Sequence, residues 1–468
     1  GFASSFFLLS YLSNTKKNAR VLVLERGQRK SFEWQLKNQA VRQPDPLFWY
    51  INKNKEKYWN HFSAFGGGSN CWWACTPRFL PSDFKLHSTY GVGKDWPLSY
   101  EDLEPFYCHA EEIMSVAGPD NSPLFPRSQP YPQPAHLMTD PDKIFAKSHP
   151  GLFFSLPTAR PSRATKNRQP CCNSGVCSLC PINSKFTIEN ELAYLYQDTR
   201  VTLQLDSTAL AIETENTHAT GVHYKTKERE EFVRGDLVVL GANALFNPFL
   251  LQKSGIDHPV LGRGLNEQVS KRVTVLLDGI KNFQGSTSLT GHGYMLYDGP
   301  HRSEHAGALM ETSNIPQIRM ERGKMRNILS IKFIFEDLAQ ENNRVVISTK
   351  DNNIPETVFH DYSDYALQGI DKLPEKLPQV LEGLPVEDVI ISPSVSQTES
   401  HILGTTPMGS DPSTSIVDRH LVHHTHRNIV VLGGSTFPVS SPSNPTLTLS
   451  ALSLWACHHL FENSGVRT

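Results

Sequence analysis

The chain has no uninterrupted apolar run of the ~18 residues that a membrane-crossing helix needs. It also lacks a charge bias, with 45 Lys and Arg against 47 Asp and Glu and a net charge of −2. Without a basic excess there is no electrostatic footprint for nucleic acid or another polyanion. Cysteine is scarce outside one short stretch: of eight, four fall between Cys171 and Cys180, which is not the spread of a disulfide framework. No Cys-x-x-Cys-His haem attachment occurs. The opening is lacking too. The chain starts at Gly1 where a nucleotide fold would already have laid down its first strand, so a segment of ~5–6 residues is expected to precede it. No targeting signal can then be read, and the cytoplasm and the periplasm are both open. At 468 residues the chain exceeds one typical core, which predicts two or more subdomains.

What is present begins with an amphipathic helix pattern from Phe2 to Leu12. A short buried strand follows, ending in Glu25. This is the back half of a βαβ nucleotide unit. Gly1 stands as the second glycine of G-x-G-x-x-G/S, Ser4 takes the third place, and Glu25 lies about where an acid hydrogen-bonds a ribose. A plain helix–strand pair is the competing reading. Next, Gly66-Gly67-Gly68-Ser69-Asn70-Cys71 reads as a loop whose backbone approaches a ligand closely, with Ser69 and Asn70 offering donors. Near the other end, the run 429–432 is a buried strand closed by Gly433-Gly434. Asn444 then stands at an N-cap position with Pro445 at N1 and Thr446 behind it, opening a long amphipathic helix. Free N–H groups and the positive dipole end of that helix suit developing negative charge.

Between these ends, Ser99 with Asp102 marks a capped helix start. Residues 118–169 are Pro-rich and read as a surface excursion, a lid or a partner surface. Residues 201–233 alternate as a β-meander, and 236–254 read as a buried strand turning onto a helix. Short strands separated by polar loops fill 270–398. His420, His423, His424 and His426 read as solvated residues of a connection. Cys172-x4-Cys177-x2-Cys180, followed by Pro181, has spacing tight enough for three thiolates to meet at one inorganic centre. Cys171 is the substitute for Cys172, and structural thiols or zinc are the alternatives.

His401 and Asn444, with the Gly-rich loop and the C-terminal strand and helix, carry a resemblance to the glucose–methanol–choline (GMC) flavin oxidoreductases. Within that family the pattern is most similar to pyranose oxidases and the large subunits of bacterial FAD-dependent sugar dehydrogenases. The resemblance implies an α/β fold, with a Rossmann-like FAD domain and a substrate domain on a mainly antiparallel sheet. The FAD domain would be discontinuous, 1–80, 160–265 and 405–468; residues 81–159 and 266–404 would form the substrate domain and the excursion. It implies noncovalent FAD, because Cys71 stands where pyranose oxidases carry the linking His. FAD would lie against Gly1, Ser4, Glu25, Gly67, Gly68, Ser69, Asn70, Cys71, Ala242, Gly434, Ser435, Asn444, Pro445 and Thr446. His401 would be general base and Asn444 would orient the substrate oxygen, so that a CH–OH group of a sugar, polyol or other alcohol loses hydride to flavin N5. In the sugar dehydrogenases a similar cysteine run holds a 3Fe–4S cluster, which assigns Cys172, Cys177 and Cys180 to iron. Electrons would then pass to a protein acceptor, a cytochrome or small subunit. The alternatives are an oxidase producing hydrogen peroxide, an FAD-retaining lyase, and an inactive scaffold or electron-transfer subunit. Gln268 falls where the family often has His, a change read as tolerable.

Overall fold

The computed structural model describes residues 1–15, 19–41, 49–54, 56–120, 123–315, 317–321 and 324–463. Two buried cores organise them. The first is built round two helices that pack on each other, Phe2–Asn14 and Thr446–Asn463. Phe2, Phe6 and Leu12 from one helix meet Leu447, Ala451 and Leu454 from the other among the same buried residues. The helix Tyr100–Met114 packs on Thr446–Asn463 as well, placing Tyr107 and Met114 in this core. Its start is as the sequence predicts: Ser99 Oγ accepts the Asp102 N–H at 3.2 Å and Asp102 returns a bond to the Ser99 N–H at 2.9 Å. Two parallel ladders flank the core, Val21–Leu24 with Val201–Gln204 and Val238–Leu240 with Ile429–Val431.

The second core lies behind a seven-stranded antiparallel sheet. Its order is Val386–Ile391, Val269–Leu277, Lys324–Phe335, Ala308–Ser313, Leu289–Leu296 and Phe153–Ser155, with Ile318–Glu321 paired to Lys324–Phe335. Period-two alternation divides its faces. Leu329, Ile331, Phe333 and Phe335 face the second core, with Val269, Val273 and Val275 from the neighbouring strand. The intervening Ser330 and Lys332, with Glu311 opposite Lys332, belong to the other face. The mixed fold with a mainly antiparallel substrate-side sheet is thus as expected from the sequence.

Two local readings change. The segment Val201–Gln204 does not join the meander; it pairs in parallel with Val21–Leu24, and only Thr208–Glu215, His218–Lys225 and Glu230–Arg234 form the antiparallel triplet. Residues 118–169 are no mere surface excursion either. Phe125, Phe145, Phe153 and Phe154 are buried, and Phe153–Ser155 closes one edge of the large sheet. Proline content hid these aromatics, whose area outweighs the lack of periodicity.

Candidate active site

The N-terminus of the helix Phe2–Asn14 sits where three backbone segments converge. Gly67, at φ +52°, lies so close that a Cβ on it would come 3.1 Å from Gly1 Cα. On the other side a Cβ on Gly241 would strike the Ser4 hydroxyl, and Gly433 faces Ala3. Such close approach needs residues without side chains and leaves the first N–H groups of the helix facing this junction. Glu25 lies just beyond the strand Val21–Leu24, with one carboxylate oxygen accepting the Gly27 N–H at 2.7 Å. A cradle of backbone with a helix N-terminus aimed into it suits a pyrophosphate.

The Gly-rich loop forms a 3-10 turn, Gly67–Asn70. Gly68 is exposed and open on its outer side, whereas Ser69 and Asn70 turn inward. Ser69 Oγ donates to Gly66 O at 2.7 Å and accepts the Ile188 N–H at 3.1 Å. Asn70 Nδ2 donates to Phe65 O and Gly67 O. These bonds hold the loop's shape. Cys71 is half-buried, its thiol 3.6 Å from Gly68 O. Beneath the loop, the buried Lys185 ammonium donates to the carbonyls of Asn70, Trp72 and Cys177 at 2.6–3.0 Å. Burial draws its pKa down to about 8. This cation, which the sequence reading overlooked, ties the Gly-rich loop to the cysteine segment.

Ala242 and Ser435 meet through another overlooked residue. Asn247 Oδ1 accepts the Ala242 N–H at 2.8 Å, while its Nδ2 donates to Leu432 O at 3.0 Å and Ser435 Oγ at 2.8 Å. The segment after His401 runs alongside: Gly404 N–H donates to Gly434 O and Thr406 N–H to Ser435 O. His401 is therefore carried on a stretch stitched to the glycine end of the strand Ile429–Val431.

His401 is half-buried. Its backbone N–H donates to Glu267 Oε2 at 3.0 Å, and its Nδ1 lies 2.9 Å from Gln268 Oε1. Glu267 is itself buried and paired with Lys57. Burial pulls the His401 pKa down to about 4; Glu399 and Glu311 oppose the shift, and Lys332 adds to it. Lys332 Nζ is 2.9 Å from Glu399 Oε2.

Asn444 is buried, and its Oδ1 has no hydrogen-bond partner among the described residues. It does not cap the final helix. That helix spans Thr446–Asn463, and the Leu449 N–H donates to Pro445 O at 2.9 Å, so Pro445 holds the cap position and Asn444 lies one residue further out. A buried amide oxygen left unpaired here is an acceptor available to a ligand.

The cysteines are not gathered. Among the described residues no group of three or more Cys, His, Asp or Glu side chains is placed to hold a metal ion. Cys172 is exposed, and buried Cys177 takes an Arg160 N–H at 3.7 Å. Cys180 takes the Ser184 N–H at 3.2 Å, and Cys171 accepts from the Thr287 hydroxyl at 3.5 Å. The sequence expectation of a shared centre at Cys172, Cys177 and Cys180 is not met by this arrangement, because each of the three faces different surroundings. The histidine-rich connection departs from expectation too: His423 and His426 are buried, and His423 Nδ1 accepts the N–H groups of Thr425 and His426, closing a turn.

Comparison with known proteins identifies the family. Residues 156–270 and 370–453 match the family described as GMC oxidoreductase. The fructose dehydrogenase large subunit of Gluconobacter japonicus is 30% identical over 443 residues, covering 85% of this chain and 80% of that protein. The chain belongs to the GMC oxidoreductase family. The gluconate 2-dehydrogenase flavoprotein of Pantoea cypripedii is 25% identical, over 85% of this chain and 78% of that protein. Pyridoxine 4-oxidase from Mesorbium loti shares the fold, with a TM-score of 0.70 at 16% identity over 99% of this chain and 98% of that one. As a GMC oxidoreductase the protein is an FAD-dependent enzyme oxidising CH–OH groups. No helix among the described residues is long and apolar enough to cross a membrane.

Proposed function

We propose that this GMC oxidoreductase is a sugar or polyol dehydrogenase that passes its electrons to an acceptor other than oxygen. The observation that carries the reading is His401, a neutral imidazole on a segment bonded to Gly434 and Ser435. FAD would be held noncovalently along the junction of Gly1, Ser4, Gly67 and Gly68 with Ala242, Gly434 and Ser435. Glu25 would serve the ribose, Cys71 would stand beside the loop, and the helix start at Pro445 and Thr446 would face the flavin ring. When bound, FAD supplies the two-electron oxidant, taking hydride at N5. His401 takes the hydroxyl proton, and Asn444, whose Oδ1 is unpaired among the described residues, helps orient the substrate oxygen. The polar sheet face beside His401, with Lys332 and Glu311 opposite one another, suits a substrate rich in hydroxyl groups. Two relatives are named as dehydrogenases of fructose and gluconate, and one of them is named as a large subunit, which supports a polyhydroxylated substrate and a protein acceptor, a cytochrome or small subunit. Residues 1–80, 160–265 and 405–468 would form the FAD domain under this reading. The helix Tyr100–Met114 packs on the same core.

Anaerobic addition of sugars, polyols and aromatic alcohols to the FAD-loaded protein tests the reaction. Bleaching by a sugar or polyol is the expected result, and none with any alcohol would sink it. Mixing the reduced protein with an artificial dye or with oxygen then tests the acceptor. Rapid peroxide formation would make the protein an oxidase. Among the described residues Cys172, Cys177 and Cys180 make no group placed to hold a metal ion. Iron and labile-sulfide analysis with electron paramagnetic resonance, on protein purified anaerobically, decides whether they gather round a 3Fe–4S cluster.

The pH profile has a definite sign. The neutral imidazole is the base, and burial has lowered its pKa from 6.5 to about 4, so the active form survives acidification. Flavin reduction by saturating substrate is expected to stay level from neutrality down to about pH 5 and to fall on approaching about pH 4. Measured by stopped flow, an acid limb centred near 6.5 would show an imidazole in ordinary surroundings.

A further inference from the structure

We propose that Gln268 is a positioning residue that fixes the tautomer of His401, placing the proton on Nδ1 and leaving Nε2 as the atom that accepts the hydroxyl proton. The inference rests on the reading of His401 as base and adds which nitrogen acts and what enforces it.

Gln268 is fully buried. A carboxamide has one end that only donates and one that only accepts. The nitrogen of Gln268 lies 2.8 Å from the carbonyl oxygen of Ser441 and 2.8 Å from that of Ser443. Backbone carbonyls only accept, so both amide hydrogens are committed to them. Turning the amide over would set its oxygen against two carbonyl oxygens and lose both of those bonds. The oxygen end must therefore face His401 Nδ1 at 2.9 Å. Since that oxygen cannot donate, Nδ1 carries the hydrogen, and in a neutral imidazole the lone pair is then on Nε2. The preceding residue secures the backbone, because Glu267 accepts the His401 N–H at 3.0 Å. Two successive residues thus hold the base, one by its main chain and one by its ring.

The acceptor's neutrality matters as well. A carboxylate against Nδ1 would stabilise the imidazolium and raise the His401 pKa, whereas an amide oxygen does so far less. The charged groups around the ring are Glu399, Glu311 and Lys332, with Glu267 on its backbone side, and none replaces Gln268 at Nδ1. In the proton step the substrate O–H bond breaks and an N–H bond forms at Nε2. The Nδ1–H bond stays intact and points at Gln268 throughout. Gln268 also links His401 to residues 441 and 443, next to Asn444, so base and orienting amide share one support.

Three measurements on the FAD-loaded protein test this. In wild type, 15N-histidine NMR assigned through a His401→Gln control should show a protonated Nδ1 and an unprotonated Nε2 at neutral pH; the reverse tautomer overturns the proposal without any variant having to fold. Gln268→Glu keeps an acceptor at Nδ1 but adds charge and gives up the two bonds donated to Ser441 and Ser443, and the acid limb of flavin reduction should move up towards neutrality. Gln268→Met keeps similar volume without an acceptor, and reduction should slow by roughly 10–10²-fold, part of a general base's 10²–10⁴, with FAD content retained. Unchanged rate and pH profile in both Gln268 variants would overturn the proposal. If at the same time His401→Ala is slow, only the role of Gln268 fails; if His401→Ala reduces flavin at the wild-type rate, the base reading itself fails.

Discussion

Flavin reduction in His401→Ala is expected to be ~10²–10⁴ slower than in wild type, the share a general base contributes. FAD content should hardly change. The segment 401–406 is joined to Gly434 and Ser435 through main-chain bonds at Gly404 and Thr406, which the substitution leaves in place. The imidazole's own polar contact goes to Gln268, away from the Gly-rich cradle. Stopped-flow reduction under anaerobic conditions, with flavin absorbance counted before mixing, separates chemistry from cofactor loss. A variant that kept its FAD and reduced it as fast as wild type across the pH range would remove His401 from the reaction. The slow variant should also lose the acid limb near pH 4, because the group that titrates there is gone.

Arg302→Met is the substitution expected to cost the most stability. The guanidinium is fully buried and bonds Glu336 through Nε at 2.9 Å and Nη2 at 2.6 Å, and Asp83 through Nη2 at 2.9 Å. Both carboxylates are buried as well, and burial already raises the Asp83 pKa to about 6 with Arg302 pulling against it. Methionine has similar bulk but no charge, so two carboxylates would be left uncompensated, at a cost of about 3–5 kcal/mol. A carboxyl whose pKa is raised in the folded state favours folding below that pKa and loses the advantage as pH rises through it. The deficit of Arg302→Met should therefore shrink at acid pH, where Asp83 takes up a proton. Denaturant unfolding at two pH values measures this, and a pH-independent deficit below about 1 kcal/mol would contradict the uncompensated-charge account.

The same substitution should reach the active site. Asp83 accepts from the hydroxyls of Tyr297 at 2.7 Å and Ser441 at 3.0 Å, and Ser441 offers its carbonyl to Gln268. An Asp83 that protonates or shifts would disturb the segment that steadies the amide facing His401. Slower reduction in Arg302→Met at conditions where it is fully folded is the expected sign of that linkage.

Whatever depends on neighbours along the chain was legible before folding. Apolar runs at 272–277 and 328–335 made strands legible, which the structure extends to Val269–Leu277 and Lys324–Phe335, and Ser99 with Asp102 marked a helix start, since pleat and cap geometry act over two to four residues. Triple glycine at 66–68 and the glycines at 433–434 announced close backbone approach for the same local reason. His401 and Asn444 were picked out by their motif positions, though the helix expected to begin at Asn444 starts later, where Pro445 takes the first main-chain bond. The fold settled which polar groups are spent on each other. It turned Ser69 and Asn70 inward, paired Val201–Gln204 with Val21–Leu24 instead of with the meander, and gave Cys172, Cys177 and Cys180 no shared metal-holding arrangement among the described residues despite their spacing. It joined Gln268 to His401 across 133 positions and Arg302 to Asp83 across 219. A buried donor or acceptor must be matched by whichever group the fold brings within about 3 Å, and that partner leaves no periodic trace in the chain.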